Sequence, residues 1–165
     1  MTSALPVDDP GASKDLQRFL HLRREGTAGA YTYAALLGLR SYDLPYLLKC
    51  VQQGLSFSTL EHLRRSLGMS WEDLGQLLAI PSRTLTRRKS EGRFQPDESD
   101  RILRATRLYA KALELFEGDP QSASRWLSSS QLALGGLTPL DLARSELGAR
   151  EVESLLDRLE QGVFV

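Results

Sequence analysis

The chain has 165 residues, and its basic and acidic residues each total 21, so its formal net charge at pH 7 is zero. Hydrophobic residues make up 41% of the sequence, which is typical of a folded globular protein and not of a disordered one. The single cysteine, Cys50, excludes an intramolecular disulfide and a cysteine-based zinc site, and the two histidines, His21 and His62, are too scattered to suggest a metal site. A balanced total does not exclude nucleic-acid binding, because the distribution of charge matters more than its sum.

The N-terminal residues show no basic region followed by a long apolar run, so we predict that the chain has no signal peptide. No apolar stretch approaches the roughly 18–20 residues that a membrane helix needs. We therefore expect a cytoplasmic protein that binds no membrane, no cofactor and no metal.

Helix signals run through the whole chain, and alternating strand patterns are absent, which predicts an all-α fold. After a lead-in over residues 1–13, apolar residues at helical spacing predict helices over 14–25 and 27–39. Asp43 stands before Leu44-Pro45, where its side chain can cap the next helix. We interpret residues 1–43 as an N-terminal helical extension, which could serve dimerisation, partner binding or proteolysis.

Several short helices are predicted in the middle of the chain. Ser58 and Glu61 have the spacing of a capping box. Ser70 can cap the following helix, which Pro81 breaks, and Ser82 can cap the one after that. This order of short helix, tight turn and short helix is typical of a helix-turn-helix.

A long helix is predicted to follow, with Pro96 in its first turn and apolar residues at spacings of three and four over about twenty residues. Asp119-Pro120 and Thr138-Pro139 each combine a capping residue with a proline, which predicts two further helix starts. We expect Gly148 to separate the helix after Thr138 from a final one. Residues 96–165 would then hold the long helix and a small C-terminal domain.

Residues 44–95 contain the candidate DNA-binding unit. Gly75 permits close approach of its two helices. The core that sets their angle is predicted to contain Leu74, Leu78, Ile80 and Leu85. The second helix begins with polar residues that can face a groove and continues with cations that can contact phosphates. The predicted DNA-binding residues are Ser82, Arg83, Thr84, Thr86, Arg87, Arg88, Lys89 and Arg93. Only Glu91 opposes them, so this segment carries a charge of about +4.

A basic triplet alone is more often an ordinary solvated helix face. The complete order of cap, apolar core, proline turn, hydroxyl residues and cations favours DNA contact instead, with Arg83 or Arg87 as candidates for pairing with guanine. Residues 71–89 also resemble the helix-turn-helix of the Xre family of bacterial repressors. Because a single motif of this kind binds weakly, we expect a homodimer on paired half-sites of operator DNA.

The C-terminal part is acidic, whereas the central part is basic. Its acidic residues are Asp141, Glu146, Glu151, Glu153, Asp157 and Glu160, against Arg144, Arg150 and Arg158. A protein that only represses transcription has no need of such a region, so its presence predicts a second partner of another kind.

The motifs in this region are similar to the Xre/MbcA/ParS toxin-binding domain. They are Leu-Gly-Gly-Leu-Thr-Pro-Leu-Asp-Leu at 134–142, Gly-Ala-Arg-Glu-Val-Glu at 148–153, and then Leu156, Leu159 and Gly162. Ser99-Asp100-Arg101 and Arg125-Trp126-Leu127 are also similar to that family, and the likeness covers roughly residues 44–165. The chain departs from the pattern at Ser130-Gln131-Leu132, where many members have an asparagine–proline turn.

The resemblance implies an all-helical, dimeric antitoxin with a helix-turn-helix and a toxin-binding domain. Its implied partner is a RES-domain toxin, an enzyme that depletes NAD and whose active site the antitoxin covers. The residues that we expect to bind the toxin are Arg150, Glu153, Asp157, Glu160, Gly162, Val163, Phe164 and Val165. An NAD pocket must hold an anionic pyrophosphate, so a carboxylate on the apolar tail after Gly162 could occupy that place.

Two other interpretations exist. The first is a stand-alone helix-turn-helix transcriptional regulator whose C-terminal domain dimerises or senses a ligand, and the motif at 134–141 argues against it. The second is an enzyme with Cys50 as nucleophile and His21 or His62 as base. No ordering acid and no oxyanion-stabilising loop accompany these residues, so we predict that the chain is not an enzyme and has no catalytic residues.

Overall fold

A computed structural model describes the backbone of residues 10–26 and 29–162, with side chains from residue 14 onwards. These ranges contain no sheet, only an isolated antiparallel bridge between Ser56 and Arg93. The predicted all-α fold is therefore confirmed. The α-helices are α1 (Pro10–Arg24), α2 (Leu44–Gln53), α3 (Phe57–Leu67), α4 (Trp71–Leu78), α5 (Ser82–Glu91), α6 (Pro96–Leu115), α7 (Pro120–Leu127), α8 (Pro139–Leu142) and α9 (Glu146–Glu160). Two short 3₁₀ helices lie at Thr32–Leu37 and Leu132–Leu134.

Side-chain caps begin four of these helices where the sequence predicted them. The Asp43 carboxylate accepts a hydrogen bond from the Tyr46 N–H at 2.9 Å, and Ser70 Oγ accepts one from the Asp73 N–H at 3.1 Å. The side chains of Asp119 and Thr138 accept equivalent bonds at the starts of α7 and α8. Each cap satisfies a backbone donor that has no partner within its helix.

Other predicted starts are wrong. The capping box of Ser58 and Glu61 does not form, because Ser56 is at the N-cap of α3, two residues before Ser58, and Ser58 Oγ shares a hydrogen bond with Ser56 Oγ. Ser82 is the first residue of α5, and Pro81 takes the capping position before it. At the N-terminal end, α1 begins at Pro10, inside the predicted lead-in.

The predicted helix over 27–39 is replaced by the 3₁₀ helix Thr32–Leu37. Every residue of this segment is buried, so it lacks the one-sided periodicity of a surface helix. Gly38 ends it with φ +71°, and the imidazole ring of His62 packs directly against that glycine. Residues 27 and 28 lie outside the described part of the chain.

One continuous apolar core joins the helix-turn-helix to the C-terminal helices, and α6 runs through its centre. This helix packs against α2, α4, α7, α9 and the first 3₁₀ helix. Tyr109, in its middle, is fully buried. The Tyr109 hydroxyl donates to the Pro120 carbonyl at 2.8 Å and also contacts Ser124 Oγ, while burial raises the pKa of Tyr109 to about 12. The long helix α6 therefore contacts both the helix-turn-helix part and the C-terminal helices.

Gly148 does not separate two helices as predicted, since it lies inside the first turn of α9. Its N–H donates to Ser145 Oγ at 3.0 Å. A Cβ atom on residue 148 would overlap the carbonyl group of Leu142, so the corner between α8 and α9 requires a glycine for close backbone approach.

We expect Gly148→Ala to destabilise the protein by about 1–3 kcal/mol, because the overlap with the α8 backbone outweighs the higher helix propensity of alanine. The measurement is thermal and urea unfolding followed by circular dichroism. Gly29→Ala is the matched control, because nothing lies within 4 Å of the Cβ position there and residue 29 has no positive φ. Equal unfolding midpoints for the two variants would contradict the packing argument.

Candidate functional site

The geometry of α4 and α5 confirms the predicted small core between them. Leu74, Leu78, Ile80 and Leu85 are all buried. A Cβ atom on Gly75 would lie 3.0 Å from the Ile80 carbonyl oxygen and 3.3 Å from Leu85 Cδ1, so this position is as tight as the sequence predicted. Ala79 ends α4 in the left-handed conformation, with φ +52°, and turns the chain toward α5.

One face of α5 is open to solvent and positively charged. We call it the basic face, and its exposed residues are Ser82, Arg83, Thr86, Arg87 and Lys89. Thr84, also predicted to contact DNA, is half-buried. Within the part of the chain that the structure describes, Arg83, Arg87 and Lys89 form no ion pair with an acidic residue. Their charge is therefore available to an anionic partner.

Arg88 does not belong to the basic face, contrary to its prediction as a DNA contact. The residue is 8% exposed, and its Nε donates to both Glu98 carboxylate oxygens at 2.9 and 2.8 Å. Its Nη2 donates to Glu98 at 2.6 Å and its Nη1 to Glu91 at 2.8 Å. These hydrogen bonds, those to Glu98 above all, raise the pKa of Arg88. Successive helical residues point about 100° apart, so Arg87, Arg88 and Lys89 cannot all share one face.

Arg93 is an exposed residue whose guanidinium has an additional structural role. Its Nη1 donates to the Gly54 carbonyl at 2.7 Å, at the C-terminal end of α2. The position suits a cation, because the last carbonyls of a helix carry partial negative charge. Its predicted contact with DNA remains a proposal.

The first turns of α6 hold the helix-turn-helix in place through Glu98 and through Ser99 and Arg101 of the motif at 99–101. Glu98 accepts the Arg88 hydrogen bonds and one from the Gln95 N–H at 3.2 Å. Ser99 Oγ accepts a hydrogen bond from the buried Leu55 N–H at 2.8 Å, and Arg101 Nη1 donates to the Ala79 carbonyl at 2.9 Å. The partner of Glu98 could not be predicted from the sequence, because Arg88 lies on another helix.

The C-terminal helix α9 is joined to α6 by a row of ion pairs. Glu153 pairs with Arg107, Asp157 accepts from Lys111 Nζ at 2.6 Å, and Glu146 accepts from Arg104 Nε at 3.0 Å. Burial alone would raise the pKa of Glu146, but the arginines lower it below the usual value of a glutamate. The predicted toxin-binding residues Glu153 and Asp157 thus stabilise the contact between two helices.

The remaining predicted toxin-binding residues are distributed differently. Arg150 is exposed, and its Nε lies 3.5 Å from Glu146 Oε1. Glu160, the last residue of α9, and Gly162 after it are also exposed. Val163, Phe164 and Val165 lie outside the described residues.

Sequence reasoning missed three exposed leucines near α9. Leu132 is 97% exposed, Leu147 is 77% exposed and Leu137 is 50% exposed. Leucines in a helical sequence pattern are ordinarily assigned to the core, so neither the motif at 134–142 nor the departure from the family pattern at 130–132 predicted that these side chains are exposed.

The described residues offer neither a metal site nor a membrane span. No group of three or more histidine, cysteine, aspartate or glutamate residues among them is arranged to hold a metal ion. None of the helices that the structure describes has the length and apolar character needed to cross a bilayer.

We expect Glu98→Gln to lower the Tm near neutral pH. The Tm of the variant should also depend less on pH in the acidic range. Burial favours a higher pKa for Glu98, but the hydrogen bonds from Arg88 and Gln95 outweigh it and lower the pKa. A carboxyl with a lowered folded-state pKa stabilises the fold above its unfolded-state pKa, and that contribution disappears as the pH falls through the folded-state pKa. The difference in Tm between wild type and variant should shrink between about pH 6 and pH 3. Glu91→Gln is the control, since the side chain of Glu91 is 47% exposed, and it should have a smaller effect. A Tm difference that stays constant over this range would contradict the assignment.

Two family models match consecutive parts of the chain. Residues 49–107 match the antitoxin Xre-like helix-turn-helix domain, and residues 111–162 match the antitoxin Xre/MbcA/ParS C-terminal toxin-binding domain. The first match contains the basic face, and the second contains α7, α8, α9 and the exposed leucines.

Curated relatives carry the same assignment. The chain is 36% identical over 129 residues to "Antitoxin Xre" of Yersinia enterocolitica, covering 78% of this chain and 87% of that protein. It is 31% identical over 128 residues to "Antitoxin Xre" of Photorhabdus laumondii, covering 77% and 86%, and 38% identical over 86 residues to "Antitoxin Xre" of Pseudomonas putida, covering 50% and 52%. All three relatives carry the name of an antitoxin. With both domain models matched in order and two relatives covered over most of their length, the chain belongs to the Xre family of antitoxins.

Proposed function

We propose that this protein neutralises a RES-domain toxin through its C-terminal domain and represses its own operon by binding operator DNA as a cytoplasmic homodimer. The observation that supports both activities is the presence of two matched domains on one chain, a helix-turn-helix and a toxin-binding domain. The two share one core around α6, so they act as parts of a single folded unit.

The DNA-binding role is supported by the basic face of α5. Arg83 and Arg87 are four residues apart, so their side chains lie on the same side of the helix. Both are exposed and have no acidic partner among the described residues, which leaves their guanidinium groups available for guanine edges or phosphates. A homodimer would place two such faces on paired half-sites and raise the affinity above that of a single motif.

The toxin-binding role is supported by the family match over residues 111–162. Arg150 and Glu160 are exposed on α9, and Gly162 is exposed after the end of this helix, directly before the tail of residues 163–165 in the sequence. We propose that this tail enters the NAD pocket of the toxin, with the apolar side chains of Val163, Phe164 and Val165 as anchor.

The experiment that tests the proposal is co-expression with the protein encoded by the adjacent reading frame, while cellular NAD is measured. We expect the neighbour alone to lower NAD, and co-expression of this chain to restore it and to give a stable complex on purification. A harmless neighbour that never associates would contradict toxin neutralisation. That result would favour the alternative, a stand-alone transcriptional regulator with a dimerising or ligand-sensing C-terminal domain.

Arg83→Ala and Arg87→Ala are each expected to weaken operator binding by about 1–3 kcal/mol where the arginine contacts a base. Where it contacts only phosphate, the loss should be uniform across sequences, with a salt dependence reduced by about one charge. The measurement is fluorescence anisotropy with operator DNA at several salt concentrations. Arg150→Ala is the matched control, because it removes an exposed arginine from α9 and should leave DNA affinity unchanged. Unchanged affinity in both α5 variants would contradict the role of the basic face.

Deletion of residues 163–165 is expected to abolish neutralisation in the NAD assay while leaving operator affinity and Tm at wild-type values. The physical reason is that the deletion removes the proposed pocket contact and none of the described core. If the truncated chain still restores NAD, the tail does not occupy the toxin site.

A further inference from the structure

A short closed loop between α7 and α8, residues 131–137, carries the most exposed large apolar side chain among the described residues. We call it the Leu132 loop. Leu132 is 97% exposed, and Leu137, on the same loop, is 50% exposed. Single exposed leucines are common on protein surfaces. Two on one loop, with Leu147 at 77% on the helix against which the loop packs, form a feature that needs an explanation.

Hydrogen bonds within the loop hold Leu132 outward. The Gln131 N–H donates to the Leu137 carbonyl at 3.1 Å, and the Gly136 N–H donates to the Gln131 carbonyl at 3.0 Å, which closes the loop on itself. Gly135 and Gly136 have φ of +68° and +81°, a conformation that other residues rarely adopt. The loop geometry is therefore set without any packing of Leu132.

Further contacts attach the loop to its neighbours. The Gln131 side-chain amide donates to the carbonyls of Trp126 and Ser129, both at 3.2 Å, at the end of α7. Leu134 is buried on the inner side and belongs to the core that includes α9. A side chain presented on a loop that is already ordered loses little conformational entropy when it enters a partner's pocket.

We propose that Leu132 is an apolar anchor that inserts into an apolar pocket on the toxin, with Leu137 on the same loop and Leu147 in the first turn of α9 as further exposed apolar residues of this domain. This inference rests on the proposed function, because it assigns a contact residue to the same toxin-binding domain. The loop lies within residues 111–162, the segment that matches that domain. Asp141 is the only charged residue between Arg125 and Arg144, so the loop itself offers no cation to a DNA phosphate. It forms a contact site separate from the tail and from the polar residues of α9.

The test compares Leu132→Ser with Ala133→Ser, a matched control that introduces the same side chain at the neighbouring exposed position. Affinity for the purified protein of the adjacent reading frame is measured by calorimetry, with the full chain. We expect Leu132→Ser to weaken binding about 10-fold or more, the size of effect found for central apolar anchors. Ala133→Ser and the conservative Leu132→Met should bind within about threefold of wild type. Because Leu132 is almost fully exposed, all three variants should keep the wild-type Tm and operator affinity.

Binding by Leu132→Ser within about threefold of wild type would overturn the anchor while leaving the proposed function intact. Failure of the wild-type chain to bind that protein would contradict the proposed function itself. In a second experiment, a photo-crosslinking amino acid at position 132 identifies the protein that contacts Leu132. Crosslinks to the toxin support the proposal, and crosslinks only to a second copy of this chain would overturn it and make the surface a self-association site.

Discussion

The position of α5 depends on one buried ion pair, between Arg88 on this helix and Glu98 on α6. Three hydrogen bonds join the two side chains, and both residues are almost completely buried. Loss of either partner leaves a charge in a poorly solvated site, which is far more costly than loss of an exposed pair. The pair therefore sets the angle at which α5 presents its basic face.

The same helix that holds α5 also holds the C-terminal domain. Near its start, α6 contacts the helix-turn-helix through Glu98 and Arg101, and further along it joins α9 through Arg107 and Lys111. The two matched family segments, 49–107 and 111–162, meet inside this helix. The two matched domains therefore meet within one helix, whereas the predicted domain boundary after residue 95 lies at the turn before α6.

This arrangement would couple the two proposed binding activities of the antitoxin thermodynamically. If toxin binding shifts α6 relative to α5, it changes operator affinity, and DNA must then change toxin affinity by the same factor. The exposed leucines and the basic face would be two binding sites connected by one rigid element. The charge separation fits this division, since the basic face is on α5 and acidic residues predominate in the C-terminal part.

Several features of the fold were determined by sequence alone, because the interactions behind them span only a few residues. The caps at Asp43, Ser70, Asp119 and Thr138 bind backbone donors two or three residues away. Proline and glycine act on their own turn, so the helix-turn-helix between Ser70 and Gly92 could also be predicted. Family motifs in the C-terminal part were specific enough to identify the kind of domain.

Tertiary structure decided which face each of these helices presents to its neighbours. Arg88 has the same chemistry as Arg87 next to it, and only its contact with Glu98 makes it a structural residue. By sequence alone, Gly148 was predicted to mark a helix end. The structure places it inside α9, because the backbone of α8 at Leu142 leaves no room for a Cβ atom. Leu132 has the composition of a core residue but lies 97% exposed, because its loop is closed by hydrogen bonds of its own. Sequence determines local conformation, whereas burial depends on contacts between residues that are distant along the chain.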